Sequence, residues 1–320
     1  MAKSDLVKAL IQSHFEEDRD RFNTLALQIA AQEARLGHTN VATDIKGLID
    51  RNRTARKKNP ITLPGFEDLL VPIIKSRKLS ELVAASELKN RLGRILLEHR
   101  QRDTLQRHGL PFRRKILLAG PPGTGKTMTA SVISTELGLP LYLVQMDRIV
   151  QKYMGETNAK LRQVFDIIRE HEGVYFFDEF DAIGGERSKE NDVGEMRRVV
   201  NAFLQFLEND NSDSFIVAAT NNLQLLDGAL FRRFDDVLIY HLPTKEEARQ
   251  LLTNTLGTFL GKLKIKELPE GIKLLSQADL SQASQETIKD AILSGEQVVD
   301  LNILLKHIED KIAFQQRLNR

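Results

Sequence analysis

The chain contains no cysteine. That excludes a disulfide framework, thiolate metal ligands and a cysteine nucleophile, and it agrees with a reducing cytosol. A bias of charge is missing too: 46 Lys and Arg against 44 Asp and Glu leave a formal charge of +2. Composition therefore offers none of the basic stripe that marks most nucleic-acid-binding domains. No apolar run approaches the roughly 20 residues that a membrane-spanning helix needs. At the start, MAKSDLVKAL sets Asp5 and Lys8 where a secretory leader requires its apolar stretch, so the expectation is a cytoplasmic chain. The zinc-protease pattern H-E-x-x-H is also absent, so any protease acting with this chain would be a separate protein.

What is present is the composition of a globular protein, 41% hydrophobic and 28% charged over 320 residues. That length suits two or three units, since single domains usually run to roughly 100 to 200 residues. In residues 1–56, apolar positions such as Leu6, Leu10, Phe22, Leu25, Ile45 and Leu48 recur at helical spacing and predict a three-helix bundle, with Gly37 and Asn40 between its second and third helices. A basic, proline-ended stretch, RNRTARKKNPITLP, then leads into a linker expected over residues 57–78.

From 79 to 243 the runs KILLAG, LYLVQM, VYFFDE, FIVAAT and DVLIYHL alternate with amphipathic stretches. Short, wholly apolar runs separated by helices predict an α/β domain whose parallel sheet is covered on both faces. Residues 244–320 read as a small helical domain that opens with Lys245, Glu246 and Glu247.

Directly after KILLAG stands GPPGTGKT, and MTASVISTELG follows it with helical spacing. This is the phosphate-loop pattern G-x-x-x-x-G-K-[ST] in its required place between strand and helix. Gly120, Gly123 and Gly125 let the backbone curl so that successive N–H groups, with those of Pro121–Thr124 wherever an N–H exists, converge on phosphate oxygens. The helix start adds its positive dipole end. Lys126 supplies a point charge to the β- and γ-phosphates of ATP, and the Thr127 hydroxyl is a ligand for Mg²⁺.

Further on, VYFFDEFDAIGG delivers Asp178 and Glu179 to the carboxyl end of a buried strand, where ligands bind in open α/β sheets. Asp178 is expected to hold the Mg²⁺ shell. Glu179 is expected to orient or deprotonate the water that attacks the γ-phosphate.

Together GPPGTGKT and FFDEFDAIG resemble the AAA family of ATPases, over about Leu79 to Leu293, and most closely its katanin- and spastin-like protein-remodelling members. The resemblance implies further roles. Asn221, after FIVAAT, becomes the polar sensor of the attacking water. Arg232 and Arg233, in LDGALFRRFDDVL, become arginine fingers that reach the nucleotide of a neighbouring subunit; the plainer alternative is two surface arginines paired to Asp235 or Asp236. QKYMGET resembles the family's pore segment and makes Tyr153 and Met154 the residues that grip a threaded polypeptide. Met128 falls at the nucleotide beside the loop. The family's Ser-Gly-Ala-Asp run is matched to SQAS, Ser281 to Ser284, which adds Ala283 to the nucleotide site. The family's second sensor arginine has no counterpart.

The function these residues imply is an ATP-hydrolysing ring, a homo-oligomer and in this family a hexamer, that unfolds, translocates or disassembles a polypeptide, with a separate protease or adaptor as a further partner. Two other readings stay open. One is a nucleic-acid motor or loader using the basic linker and the basic stretch from Lys89 to Lys115. The other is an ATP-regulated assembly chaperone or scaffold.

Overall fold

A computed structural model describes residues 3–15, 19–56, 68–149, 154–180, 192–221 and 231–318. The chain divides into two units, Met1–Asn59 and Pro60–Arg320. The first consists of helices α1 (Lys3–Phe15), α2 (Arg19–Arg35) and α3 (Thr39–Arg56), with α1 packed on α2 and α2 on α3. Leu6, Ala26 and Ala30 are buried there. Asn40 lies inside α3 rather than between helices, and α3 carries the first part of the basic stretch to Arg56.

The second unit is built on a six-stranded sheet: β1 (Leu70–Pro72), β2 (Lys115–Ala119), β3 (Leu141–Val144), β4 (Val174–Phe177), β5 (Phe215–Thr220) and β6 (Asp236–Ile239). Their order across the sheet is β1-β3-β4-β5-β2-β6. The pairs β3–β4, β4–β5, β5–β2 and β2–β6 are parallel, as the apolar runs predict. β1 is the exception: it pairs antiparallel with β3. It falls inside the span 57–78 read as linker, so that span ends in a sheet strand. Pro72 is tolerated because β1 lies at the edge, where one side of the strand needs no ladder bond.

Strand periodicity divides the core between the two faces. Leu117, Tyr175, Phe177, Ile216 and Ala218 point to one side, with Leu161, Phe165 and Ile168 of α8 (Met154–Glu170) and Phe203 and Leu207 of α9 (Asp192–Asn209). Ile116, Leu118, Val174, Phe176, Val217 and Ala219 point to the other. There they meet α4 (Ser86–Arg100) through Leu88, Leu92, Ile95 and Leu96, and α6 (Lys126–Leu137) through Val132 and Ile133. The spacing of the α4 residues is that of a helix with one apolar stripe. Two short helices, α5 (Arg102–Arg107) and α7 (Met146–Ile149), complete this layer set.

The helices α10 (Lys245–Leu256), α11 (Gln277–Leu293) and α12 (Leu301–Leu318) enclose a separate core that includes Leu252, Ile272, Leu280, Ala283, Leu304 and Ile308. Helix α10 starts where the sequence predicts: the Thr244 hydroxyl accepts from the Glu247 N–H at 3.2 Å, and the Glu247 carboxylate accepts from the Thr244 N–H at 2.9 Å. This reciprocal cap satisfies two otherwise orphaned donors. None of the described helices is long and apolar enough to cross a membrane.

Candidate functional site

Sheet order assembles the site. β4, β5 and β2 are adjacent and parallel, with Phe177 opposite Ala218 and Thr220 opposite Ala119. The residues that follow these strands, Asp178, Asn221 and Gly120, therefore emerge along one carboxyl edge. Gly120 is tied there by its N–H to the Thr220 carbonyl at 3.2 Å.

The loop from Gly120 to Gly125 curls over that edge, and α6 begins at Lys126. Lys126 is only 6% exposed. Its ammonium donates to the carbonyls of Gly120 at 2.6 Å and Pro121 at 2.8 Å, and to Asn221 Oδ1 at 2.8 Å. The Thr124 hydroxyl donates to the Pro121 carbonyl at 2.7 Å, bracing the turn. Behind the loop, the buried phenol of Tyr240 meets Thr129 Oγ1 at 2.5 Å, and burial pushes that phenol's pKa upward.

The Thr127 hydroxyl lies 3.3 Å from Asp178 Oδ2. Neighbouring ligands of an octahedral Mg²⁺, with bonds of 2.0–2.1 Å, stand about 2.9 Å apart. Two hard oxygens at this separation fit such an ion. Asp178 Oδ1 accepts the N–H of Glu179 at 2.9 Å. Glu179 is the one non-glycine among the described residues with a positive φ, at 50°. Left-handed backbone costs an L-residue about 1–2 kcal/mol. Strain of this kind concentrates where a side chain must be aimed, and the Glu179 side chain is exposed at the cavity.

A cavity of about 950 Å³ is lined by the loop, by Asp178, Glu179 and Asn221, and by residues of the helical C-terminal part. Pro122–Thr127 and Met128 line it, whereas Gly120 and Pro121, also expected at the nucleotide, are not among the lining residues and instead offer their carbonyls to Lys126. Ala283 does not: it is fully buried in the core of the C-terminal helices. Ser281 to Ser284 sit inside α11, one turn too late. The turn that meets the loop is Ser276-Gln277-Ala278-Asp279, which keeps three of the four residues of the family's Ser-Gly-Ala-Asp run. Ser276 caps α11 and pairs reciprocally with Asp279. The Ala278 N–H donates to the Gly123 carbonyl at 3.0 Å. Gly123 has φ +76°, and a Cβ on it would lie 2.5 Å from Ser276 Oγ. The sequence reading missed Gln277, Ala278, Ser281 and Gln285, all of which line the cavity.

Arg232 and Arg233 are not among the lining residues. Arg233 pairs with Glu208, and Arg232 is exposed with no ion pair among the described residues. Neither is held by the acids proposed as alternatives. Asp235 accepts the N–H groups of Arg114 and Lys115, and Asp236 pairs with Arg91 and Arg113. Tyr153 lies outside the described residues, and Met154 is the first residue of α8.

The basic stretch from Lys89 to Lys115 is largely neutralised within the fold. Arg94 and Arg113 pair with Glu98, Arg100 with Glu136, Arg102 with Glu172, and Arg114 with Asp210. Lys115 Nζ donates to the Asp210 carbonyl at 3.0 Å, and burial lowers its pKa.

The family model described as "ATPase family associated with various cellular activities (AAA)" matches residues 116–242. Over 338 aligned positions the chain is 34% identical to the "Uncharacterized AAA family ATPase y4kL" of Sinorhizobium fredii, covering 99% of each chain. It is 30% identical to the proteasome-activating nucleotidase of Thermococcus onnurineus, over 82% of this chain and 68% of that one. To the peroxisomal ATPase pex6 of Schizosaccharomyces pombe it is 37% identical, over 48% of this chain but 18% of that protein.

Proposed function

This chain belongs to the AAA family of ATPases and hydrolyses ATP, and we propose that it does so as a ring of identical subunits that unfolds, translocates or disassembles a polypeptide through a central pore. One observation carries the ring. Among the described residues the cations lining the cavity are Lys126 and Arg77, and Arg77 is engaged by Glu81 at 3.0 Å. The γ-phosphoryl group passes through a transition state with charge spread over its oxygens, and a single lysine leaves that charge undercompensated. The exposed Arg232, outside its own subunit's cavity, is suited to complete the next subunit's site, and its neighbour Arg233 would join it by exchanging Glu208 for the phosphate.

Within one subunit the geometry supports the following roles. Lys126 is held by neutral oxygens at the mouth of the loop, and a phosphate oxygen is the stronger acceptor, since charge-assisted bonds are roughly twice as strong. Thr127 and Asp178 would hold Mg²⁺, which when bound neutralises phosphate charge and fixes the β- and γ-oxygens. Glu179, aimed by its left-handed backbone, accepts the proton of the attacking water. Asn221, bonded to the Lys126 head, places its amide beside the same phosphate and orients that water.

A polypeptide client is supported by the resemblance of QKYMGET to a pore segment and by a relative whose name is proteasome-activating nucleotidase. Internal pairing of the Lys89–Lys115 arginines weakens one of the two supports for a nucleic-acid motor, because phosphates would have to displace intramolecular carboxylates. In this reading Tyr153 and Met154 grip the chain, the N-terminal helices recruit it, and a separate protease or adaptor would be met outside the ring.

The test is a mixing experiment. Lys126→Ala and the double variant Arg232→Ala/Arg233→Ala should each lack ATPase activity alone. Their mixture should regain it, because some interfaces then join an intact lysine to intact arginines. No recovery, together with activity independent of protein concentration, would sink the ring. Tyr153→Ala should keep ATP turnover and lose remodelling of a captured polypeptide.

A further inference from the structure

We infer that Gln277 reads the base of the bound nucleotide and selects adenine over guanine. The inference rests on the nucleotide-binding reading above and assigns to this side chain a recognition role within that site. Gln277 is the first residue of α11, next to the capping Ser276. The bond from the Ala278 N–H to the Gly123 carbonyl pins this turn to the phosphate loop. The backbone of Gln277 is thus fixed relative to the phosphates. Its side chain lines the cavity but is 9% exposed, and its Oε1 is buried with no hydrogen-bond partner among the described residues.

Buried polar atoms without partners are rare in folded proteins, because each forfeits its hydration. In a residue that lines a ligand cavity, such an acceptor gains its partner when rotation about the side-chain bonds turns it to the bound ligand. A carboxamide carries an acceptor and a donor side by side. Adenine presents the matching pair on one edge, the N6 amine and N7, whereas guanine presents two acceptors, N7 and O6. The amide therefore makes two hydrogen bonds to adenine, and against guanine it sets its carbonyl oxygen against O6. Leu82, Val83 and Met128, in the same wall, give the faces of a base apolar contact. The family's run has glycine at this position, so the carboxamide is a feature of this chain.

The experiment measures direct binding and kcat/KM for ATP, GTP and inosine triphosphate, with wild type, Gln277→Ala and the near-isosteric Gln277→Leu. Wild type should prefer ATP to both others, since hypoxanthine also lacks the N6 amine. Both variants should lose the preference by roughly 5- to 150-fold, the range of one bidentate base contact, chiefly through weaker ATP binding. Gln277→Leu should fold as stably as wild type because it removes an unpaired polar group. An unchanged ATP-to-GTP ratio, or equal weakening toward both nucleotides, would overturn the base-reading role and leave the ATPase reading intact. Wild type that binds none of the three would overturn both.

Discussion

Replacing Gly123 by alanine tests the contact on which the site's closed shape depends. The residue has φ +76°, so an L-side chain there costs about 1–2 kcal/mol from backbone strain alone. The new methyl would stand 2.5 Å from Ser276 Oγ and 3.0 Å from Ala278 Cβ. Overpacking of this kind adds about 1–3 kcal/mol, for a total of about 2–5 kcal/mol if the loop and α11 stay docked. For a unit of this size each kcal/mol lowers Tm by about 2–4 °C, which gives a fall of roughly 4–20 °C in thermal unfolding followed by circular dichroism. The matched control is Gly93→Ala, in the middle of α4 with nothing within 4 Å of the added Cβ. It should stabilise by about 0.5–1 kcal/mol, because alanine loses less freedom than glycine in a helix. If α11 instead lifts off the loop to relieve the clash, the loss of Tm is smaller. ATP affinity then falls, since Gln277 and Ala278 leave the cavity wall. Gly123→Ala with both Tm and ATP affinity at wild-type values would refute the docking of this turn on the loop.

Glu179→Gln should bind ATP normally and lower the hydrolysis rate about 10²- to 10⁴-fold in single-turnover assays, the usual contribution of a general base; wild-type turnover would remove the residue from the mechanism. Asp210→Ala should cost about 3–5 kcal/mol in denaturant unfolding, because it strands the buried Arg114 guanidinium that Asp210 pairs; a loss under about 1 kcal/mol would mean that water reaches the pair. The Glu98 carboxyl is held below its ordinary value of 4.5, chiefly by its hydrogen bonds from Arg113. Its stabilising contribution is therefore complete above that value and lost as the pH falls through the lower folded one. Tm measured from neutral pH down to acid should drop more steeply for wild type than for Glu98→Gln, and equal slopes would dismiss the pairing.

The parts of the site that were legible in the sequence are those whose chemistry is local. GPPGTGKT and FFDEFDAIG each bring their backbone needs and their charges within one short stretch, and the structure sets them at the same edge of the sheet, after β2 and β4, with β5 between those strands. β1 was not legible. Its three residues include a proline, and only pairing with β3, some seventy positions away, makes them a strand. The basic stretch misled for a similar reason: Glu98 lies inside it, but four further carboxylates that neutralise it stand at Glu136, Glu172, Asp210 and Asp236, beyond any local window. The misplaced C-terminal turn was different, because its signal was there to be read. Ser276 and Asp279 form Ser-x-x-Asp, a helix-start pattern, and it fixes α11 at Gln277 with Ala283 on the inward face.

That correction bears on how ATP binding acts on the rest of the molecule. The Gly123 carbonyl accepts from α11, while the adjoining loop carbonyls of Gly120 and Pro121 accept from Lys126. One curl of backbone thus answers to the C-terminal helices on one side and to Lys126 on the other. Linkage then runs both ways: whatever factor bound nucleotide contributes to docking of α11, docking of α11 contributes to nucleotide affinity. In the proposed ring, a partner subunit that held the C-terminal helices against the loop would raise ATP affinity, and one that pulled them away would lower it. Neighbours in a ring would on this account act on each other's ATP sites in two distinct ways, through the arginines in catalysis and through α11 in binding, and only the second should survive in a variant that lacks Arg232 and Arg233.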